Sequence, residues 1–118
     1  MTRTLCDKIE IKHIQNMFYV RFGCDLDSTT VSEVRETVNN IDDITEKNIL
    51  IDLSSVHFVD SHGVGLFASF LKSAHGNGGV LAFSGVHDQP KSVLEMVGFN
   101  EKIVKFFENS ETAIEHLS

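Results

Sequence analysis

Residues 49–66 read ILIDLSSVHFVDSHGVGL, and this stretch decides the fold. Residues 49–53 are apolar except for Asp52, which predicts a short strand covered on both faces rather than an independent helix. Ser61 stands as the candidate N-cap of a helix that follows. The apolar residues of that helix recur at helical spacing, at Val64, Phe67, Leu71 and Ala74. The stretch therefore predicts a buried strand, a short loop and a serine at the N-terminus of a helix.

The composition is that of an ordinary globular protein, with 42% hydrophobic and 23% charged residues. A chain of 118 residues predicts one domain, 1–118, which can bury roughly two-thirds of its unfolded surface. The formal net charge of −7, without a Lys or Arg cluster, disfavours nucleic acids and anionic membranes as partners. Residues 1–6 lack the apolar core of a signal peptide, and no apolar run reaches the length of a membrane span, so we expect a cytoplasmic protein.

The first part of the chain predicts a β-hairpin followed by an amphipathic helix. Alternating apolar residues mark the two strands, at Ile9, Ile11, Phe18, Val20 and Phe22. Asp27 and Ser28 are the candidate N-caps of the helix, whose polar face carries charged residues. Its apolar face is formed by Val31, Val34, Val38 and Ile41.

The rest of the chain alternates strands with helices. After the helix at about 61–75 we expect a glycine-rich turn at 76–79, a strand at 80–83 and a helix that contains Pro90 and stops at Gly98. A last strand is expected around 103–107, followed by a helix capped by Ser110. The order β-β-α-β-α-β-α-β-α predicts an α/β fold with a mixed, largely parallel β-sheet flanked by helices.

Asp60-Ser61-His62 contains the residue types of a hydrolase triad, but its spacing argues against catalysis. Adjacent side chains at a helix start diverge, whereas a general base must lie within hydrogen-bond reach of its serine. Val59 also replaces the first glycine of the G-x-S-x-G nucleophile motif. We therefore expect no enzyme activity of this kind.

Metal and disulfide sites are not expected either. No pair of histidines has the i, i+4 spacing typical of a zinc site on a helix. The histidines are His13, His57, His62, His75, His87 and His116. Cys6 and Cys24 lack CxxC spacing, so reduced thiols are favoured over a disulfide or a metal site.

Ser61 is compatible with two roles, a helix N-cap or an acceptor of phosphate. A phosphoryl group would add about −1.5 to −2 charges at a helix N-terminus, where the helix dipole tolerates them. The acidic residues near it in this interpretation are Asp25, Asp27, Asp52 and Asp60. Such a charge could switch the binding of a partner without unfolding the domain.

Residues 49–66 resemble the strand, loop and phosphorylation motif of the STAS domain, specifically of the small single-domain anti-sigma factor antagonists. Asp25-Leu26-Asp27 resembles the acidic-Leu-Asp element of that family, residues 78–81 its glycine-led fourth strand and residues 93–99 the end of its third helix. The resemblance covers roughly residues 9–117. Two residues depart from the pattern: His62 stands where a small or hydroxyl residue is usual, and Cys24 where a glycine is usual.

The resemblance implies a fold, a mixed sheet flanked by helices, and a function. It implies a phosphorylation-controlled, non-enzymatic regulator in a partner-switching pathway, in which Ser61 is the acceptor and Asp60 its neighbour. The unphosphorylated protein would bind an anti-sigma factor that is also a serine kinase, phosphorylation would release it, and a serine phosphatase would reset the cycle. ATP and magnesium would belong to the kinase, so no cofactor is expected here. The implied partner-binding residues are Asp25, Asp27, Asp60, Ser61, His62 and Gly63. The alternative is a non-phosphorylated STAS subunit of a lipid or anion transport complex.

Overall fold

The computed structural model describes residues 9–38 and 41–117, and within them five strands form one mixed sheet. Strand β1 is antiparallel to β2, whereas β2 to β5 run parallel to one another. The strand order in the sheet is β1-β2-β3-β4-β5, so the hairpin places β1 at an edge, as the alternation predicts. The strands are β1 Ile9–Ile14, β2 Met17–Phe22, β3 Asn48–Asp52, β4 Leu81–Ser84 and β5 Lys105–Phe107.

Four helices cover the two faces of this sheet in the described part of the chain. They are α1 Ser28–Thr37, α2 Ser61–Gly76, α3 Asp88–Met96 and α4 Ser110–Leu117. Ile49 and Ile51 of β3 pack in the core that contains the buried residues of α1, α2 and α3. Leu50 packs on the opposite face, with Ala113 of α4. The predicted α/β fold class and element order are confirmed, because strand residues alternate between two helical layers.

Two predicted element bounds are wrong. Helix α1 ends at Thr37, and Ile41 begins a separate 3₁₀ turn, Ile41–Asp43, whose first carbonyl accepts the Ser73 hydroxyl at 2.7 Å. Strand β5 begins at Lys105, because residues 101–104 form a turn in which Val104 N–H donates to Asn100 O at 3.0 Å. In both places an apolar residue belongs to the core without belonging to the element that its periodicity suggests.

Two side-chain predictions are also corrected. The carboxamide oxygen of Asn109, rather than Ser110, caps α4 by accepting the Thr112 N–H at 2.8 Å, which leaves the Ser110 hydroxyl to donate to Asp52 at 2.8 Å. Cys24 is buried and disulfide-bonded, so a reduced thiol is the wrong expectation at this position; Cys6 lies outside the described residues. No helix among residues 9–38 and 41–117 has both the length and the apolar character needed to cross a bilayer.

Candidate functional site

Ser61 is the first residue of α2 and lies exposed beyond the carboxyl end of β3. The N-cap of this helix is Asp60, whose Oδ1 accepts the N–H of His62 at 2.8 Å and the N–H of Gly63 at 3.4 Å. Capping by Ser61 is therefore a wrong prediction. Serine and aspartate are both good N-caps, and here the carboxylate one residue earlier takes the free N–H groups. The Ser61 hydroxyl is therefore not used to cap the N-terminus of α2.

The side chain of Asp25 binds the backbone of the loop that leads to Ser61. The Asp25 Oδ1 accepts the N–H of His57 at 2.8 Å and the N–H of Phe58 at 3.2 Å. Hydrogen bonds to an ionised acceptor are about twice as strong as those between neutral groups. The carboxylate therefore ties the segment before α1 to the loop between β3 and α2.

A short parallel β-bridge between Leu26 and Val59 also joins the segment before α1 to the loop between β3 and α2. Leu26 N–H donates to Phe58 O at 2.9 Å, and Leu26 O accepts the N–H of Asp60 at 3.0 Å. Val59 is only 1% exposed, so this bridge lies inside the protein while Ser61, two residues later, is at the surface. The serine is presented on a backbone that the fold has already ordered.

Asp27 caps α1 and completes the group of acidic residues at this end of the sheet. Its Oδ1 accepts the N–H groups of Thr29 and Thr30, both at 3.0 Å, which confirms the predicted cap. The hydrogen bond from Thr30 is the main cause that holds the pKa of Asp27 below its ordinary value, and the nearby charge of His62 acts in the same direction. The N-terminus of α1 and that of α2 thus each carry a capping carboxylate.

His62 and Gly63 have different positions in the first turn of α2. The His62 side chain is 58% exposed, and its Nδ1 lies 3.4 Å from the Asp60 carboxylate. Gly63 is buried, and an added Cβ would stand 2.6 Å from the Cγ1 of Val59 and 3.1 Å from the Cβ of Leu26. Gly63 therefore allows the helix to pack directly on the bridge, whereas His62 faces solvent beside the serine.

Asp52 was expected among the acidic residues near Ser61, and this expectation is wrong. Its side chain lies on the face of the sheet that α4 covers. Its carboxylate accepts the Tyr19 hydroxyl at 3.1 Å, the Ser110 hydroxyl at 2.8 Å and the Ser54 N–H at 2.8 Å. Burial raises the pKa of Asp52, but these hydrogen bonds outweigh it and leave the pKa below its ordinary value. Burial, and then the Asp52 charge, raise the pKa of Tyr19 to about 12.

Two features typical of catalytic and metal sites are absent from the described residues near Ser61. No hydrogen bond links the Ser61 hydroxyl to a histidine within the ranges 9–38 and 41–117, and His62 is directed to Asp60 instead. Nor do three His, Cys, Asp or Glu residues come together in an arrangement that could hold a metal ion, as far as the structure describes the chain.

The sequence did not identify three residues that belong to, or contact, the loop between β3 and Ser61: Phe58, His87 and Gln89. Phe58 is 45% exposed, while its backbone is held by Asp25 and Leu26. The rings of His57 and His87 stack with their centroids 4.2 Å apart, and His87 Nε2 is 2.8 Å from Ser54 O. Gln89 bonds to Val59. These contacts join residues about 30 positions apart, so local patterns in the sequence carry no signal for them.

The chain is similar to known proteins in both sequence and fold. The family model of the STAS domain matches residues 8–113. The Anti-sigma-B factor antagonist of Staphylococcus aureus is 33% identical over 88 residues, which are 74% of this chain and 82% of that protein. The STAS-domain anti-sigma-factor antagonist of Planctomyces limnophilus has a TM-score of 0.81 at 20% identity, and the match covers 93% of this chain and 97% of that one.

A third similar structure is that of the Bacillus cell fate determinant SpoIIAA in its phosphorylated form. It has a TM-score of 0.73 at 17% identity, and the match covers 94% of this chain and all of that one, 100%. The two structures share the fold with this chain, while the family model and the Staphylococcus relative extend the likeness to its sequence. This chain therefore belongs to the STAS domain family.

Proposed function

We propose that this protein is an anti-sigma factor antagonist controlled by phosphorylation of Ser61. In its unphosphorylated form it binds an anti-sigma factor that is also a serine kinase, and phosphorylation by that kinase releases it. A serine phosphatase restores the binding form, and the exchange takes place in the cytoplasm. The observation that carries the proposal is an exposed serine in the first turn of α2 whose hydroxyl is not used as the helix cap.

The proposed partner surface surrounds Ser61. Phe58 offers an exposed aromatic ring on a fixed backbone, and rigid aromatic residues are frequent anchors in protein interfaces. His62 and Asp60 stand beside the serine. Asp25 and Asp27 act mainly through the backbone that they hold, and Gly63 through the close packing that it allows. ATP and magnesium belong to the kinase, and this chain acts as its substrate and ligand, not as a catalyst.

A phosphate on Ser61 would change this surface by charge without displacing the cap. Asp60 already occupies the N–H groups of His62 and Gly63, so the phosphate would add its negative charge beside an existing carboxylate. At an effective dielectric constant of about 20, two unit charges about 4 Å apart interact by about 4 kcal/mol. At the same dielectric constant, repulsion from one acidic group of the partner about 5.5 Å away would be about 3 kcal/mol, which corresponds to a loss in affinity of roughly 150-fold.

Binding in lysate from the native organism tests the proposal. Tagged wild type, Ser61→Ala and Ser61→Asp are compared, and we expect Ser61→Ala to retain a serine kinase partner that Ser61→Asp loses. Ser92→Asp is the matched control, because Ser92 is an exposed serine on α3 and carries the same change of charge. Retention of the kinase by Ser61→Asp at the wild-type level would contradict the proposal.

The alternative, a subunit of a lipid or anion transport complex, makes a different prediction in the same experiment. Such a subunit needs the fold but no acceptor at Ser61, so transport proteins would be recovered equally with all variants. The exposed hydroxyl favours the phosphorylation switch.

A further inference from the structure

The side chain of Gln89 makes two hydrogen bonds to one residue of the loop that carries Ser61. Val59 N–H donates to Gln89 Oε1 at 2.8 Å, and Gln89 Nε2–H donates to Val59 O at 3.1 Å. Gln89 is the second residue of α3, so this pair of bonds joins α3 to the segment two residues before the serine.

The Gln89 carboxamide bonds to Val59 in the way that the backbone of a neighbouring strand would. In extended backbone, the N–H and C=O of one residue point to one side and those of the flanking residues to the other. Phe58 O and Asp60 N–H bond to Leu26, so both polar groups of Val59 point away from that bridge. A carboxamide supplies one donor and one acceptor, which is the pair that a neighbouring strand would supply.

The environment makes these bonds important. Val59 is 1% exposed, and an unpaired backbone group at such a position costs about 1–3 kcal/mol. The start of α3, which carries Gln89, is itself held to the loop after β3, since Lys91 N–H donates to His87 O at 2.9 Å and His87 Nε2 is 2.8 Å from Ser54 O. The loop that leads to Ser61 is thus held by Leu26 on one side and by Gln89 on the other.

We propose that Gln89 is a positioning residue for the phosphorylation of Ser61. This inference rests on the proposed function and deepens it. Gln89 fixes Val59, the Val59 side chain is in close contact with the first turn of α2 at Gly63, and Ser61 is the first residue of that turn. Without the carboxamide, the serine moves from the position that a kinase must find, while the exposed partner surface keeps its composition.

The test compares the kinetics of phosphorylation by the kinase partner for wild type, Gln89→Met and Gln89→Glu. Gln89→Met keeps the length of the side chain and removes both hydrogen bonds. A misplacement of about 1 Å can lower a rate by about 100-fold, so we expect kcat to fall roughly 10- to 100-fold while KM changes less than about threefold. Ser92→Ala, also on α3, is the control and should keep wild-type kinetics.

Gln89→Glu adds a readout that a general loss of stability does not give. The ionised carboxylate accepts from Val59 N–H but repels Val59 O, whereas the protonated form supplies a donor as well as an acceptor. The rate of this variant relative to wild type should therefore rise as the pH falls and the carboxylate takes up its proton. A constant ratio would count against the hydrogen-bond pair.

Amide hydrogen exchange completes the test without the kinase. In Gln89→Met, the Val59 amide should exchange at least tenfold faster, while the amides of β3 keep their wild-type rates. Unchanged kcat together with faster exchange at Val59 would refute the positioning role and leave the proposed function intact. Phosphorylation of wild type at a residue other than Ser61 would refute both.

Discussion

Replacing Gly63 by alanine tests whether the first turn of α2 rests directly on the bridge between Leu26 and Val59. The added Cβ would lie 2.6 Å from the Cγ1 of Val59, 3.1 Å from the Cβ of Leu26 and 3.4 Å from the Leu26 carbonyl oxygen. Val59 has a stiff, β-branched side chain and its backbone is bonded on both sides, so it cannot move aside easily. The helix must therefore shift at the turn that contains Ser61.

The magnitude follows from two opposing effects. Overpacking of a well-packed interior costs about 1–3 kcal/mol, whereas alanine is favoured over glycine in a helix by about 1 kcal/mol. The difference between the two effects is a fall of up to about 2 kcal/mol in the free energy of unfolding of Gly63→Ala, and the contact of 2.6 Å places the variant towards the larger values. Gly65→Ala is the matched control in the same helix: nothing stands within 4 Å of an added Cβ there, so the variant should gain about 0.5–1 kcal/mol.

Urea unfolding monitored by circular dichroism measures both free energies. For a domain of this size, 1 kcal/mol corresponds to a shift of roughly 3–6 °C in Tm, so a thermal scan gives an independent check. The two substitutions should shift stability in opposite directions. If Gly63→Ala stabilised the protein as much as Gly65→Ala, the reasoning about this contact would be refuted.

Three further outcomes are expected. Asp25→Ala removes the acceptor of the His57 and Phe58 N–H groups, and should lower the free energy of unfolding by about 1–3 kcal/mol with faster amide exchange at both residues; unchanged exchange would contradict the role of the carboxylate. Tyr19 is the one tyrosine of the sequence, so an alkaline absorbance titration reports it directly and should give a pKa of about 12; Asp52→Ala should lower this pKa but leave it above the ordinary value of 10.0, because burial, the larger cause, remains, and an unchanged pKa would contradict a contribution from the Asp52 charge. The Asp52 pKa is lowered on folding, so its stabilisation is present above the unfolded value of 3.8 and is lost as the pH falls through the lower folded value; urea titrations in acid should show a smaller dependence of stability on pH in Asp52→Asn than in wild type, the remaining slope coming from carboxylates such as Asp27 and Glu46, and an equal slope would contradict the role of Asp52.

Much of the fold could be predicted because periodicity is a local property. A window of about a dozen residues is enough to predict the hairpin, the buried β3 and the helix after Asp60, and the structure contains all three. Local patterns do not predict which of two neighbouring residues serves as a helix N-cap when both have suitable side chains. Asp60 and Ser61 could both cap α2, as Asn109 and Ser110 could both cap α4, and in each case only the three-dimensional contacts decide.

The candidate site could be predicted in part. Ser61, Asp60 and His62 are adjacent in the sequence, and Asp25 and Asp27 come from the family resemblance. Asp52 lies two residues after Leu50 in β3, so both side chains are expected on the same face of the sheet, opposite to that of Ile51. The sequence does not say which helices cover which face of the sheet. Gln89 and His87 reach the loop only when α3 is placed beside it, so no local pattern reveals their contacts with Val59 and Ser54.

The affinity of the two phosphorylation states for the kinase partner tests the central claim most directly. The protein is phosphorylated with Mg-ATP, the modified residue is mapped by mass spectrometry, and both forms are titrated against the partner by calorimetry with a non-hydrolysable nucleotide. We expect a single phosphate on Ser61 and a Kd on the order of 100-fold weaker for the phosphorylated form, as the repulsion estimated above requires. A phosphate on another residue, or equal affinities of the two forms, would contradict the account.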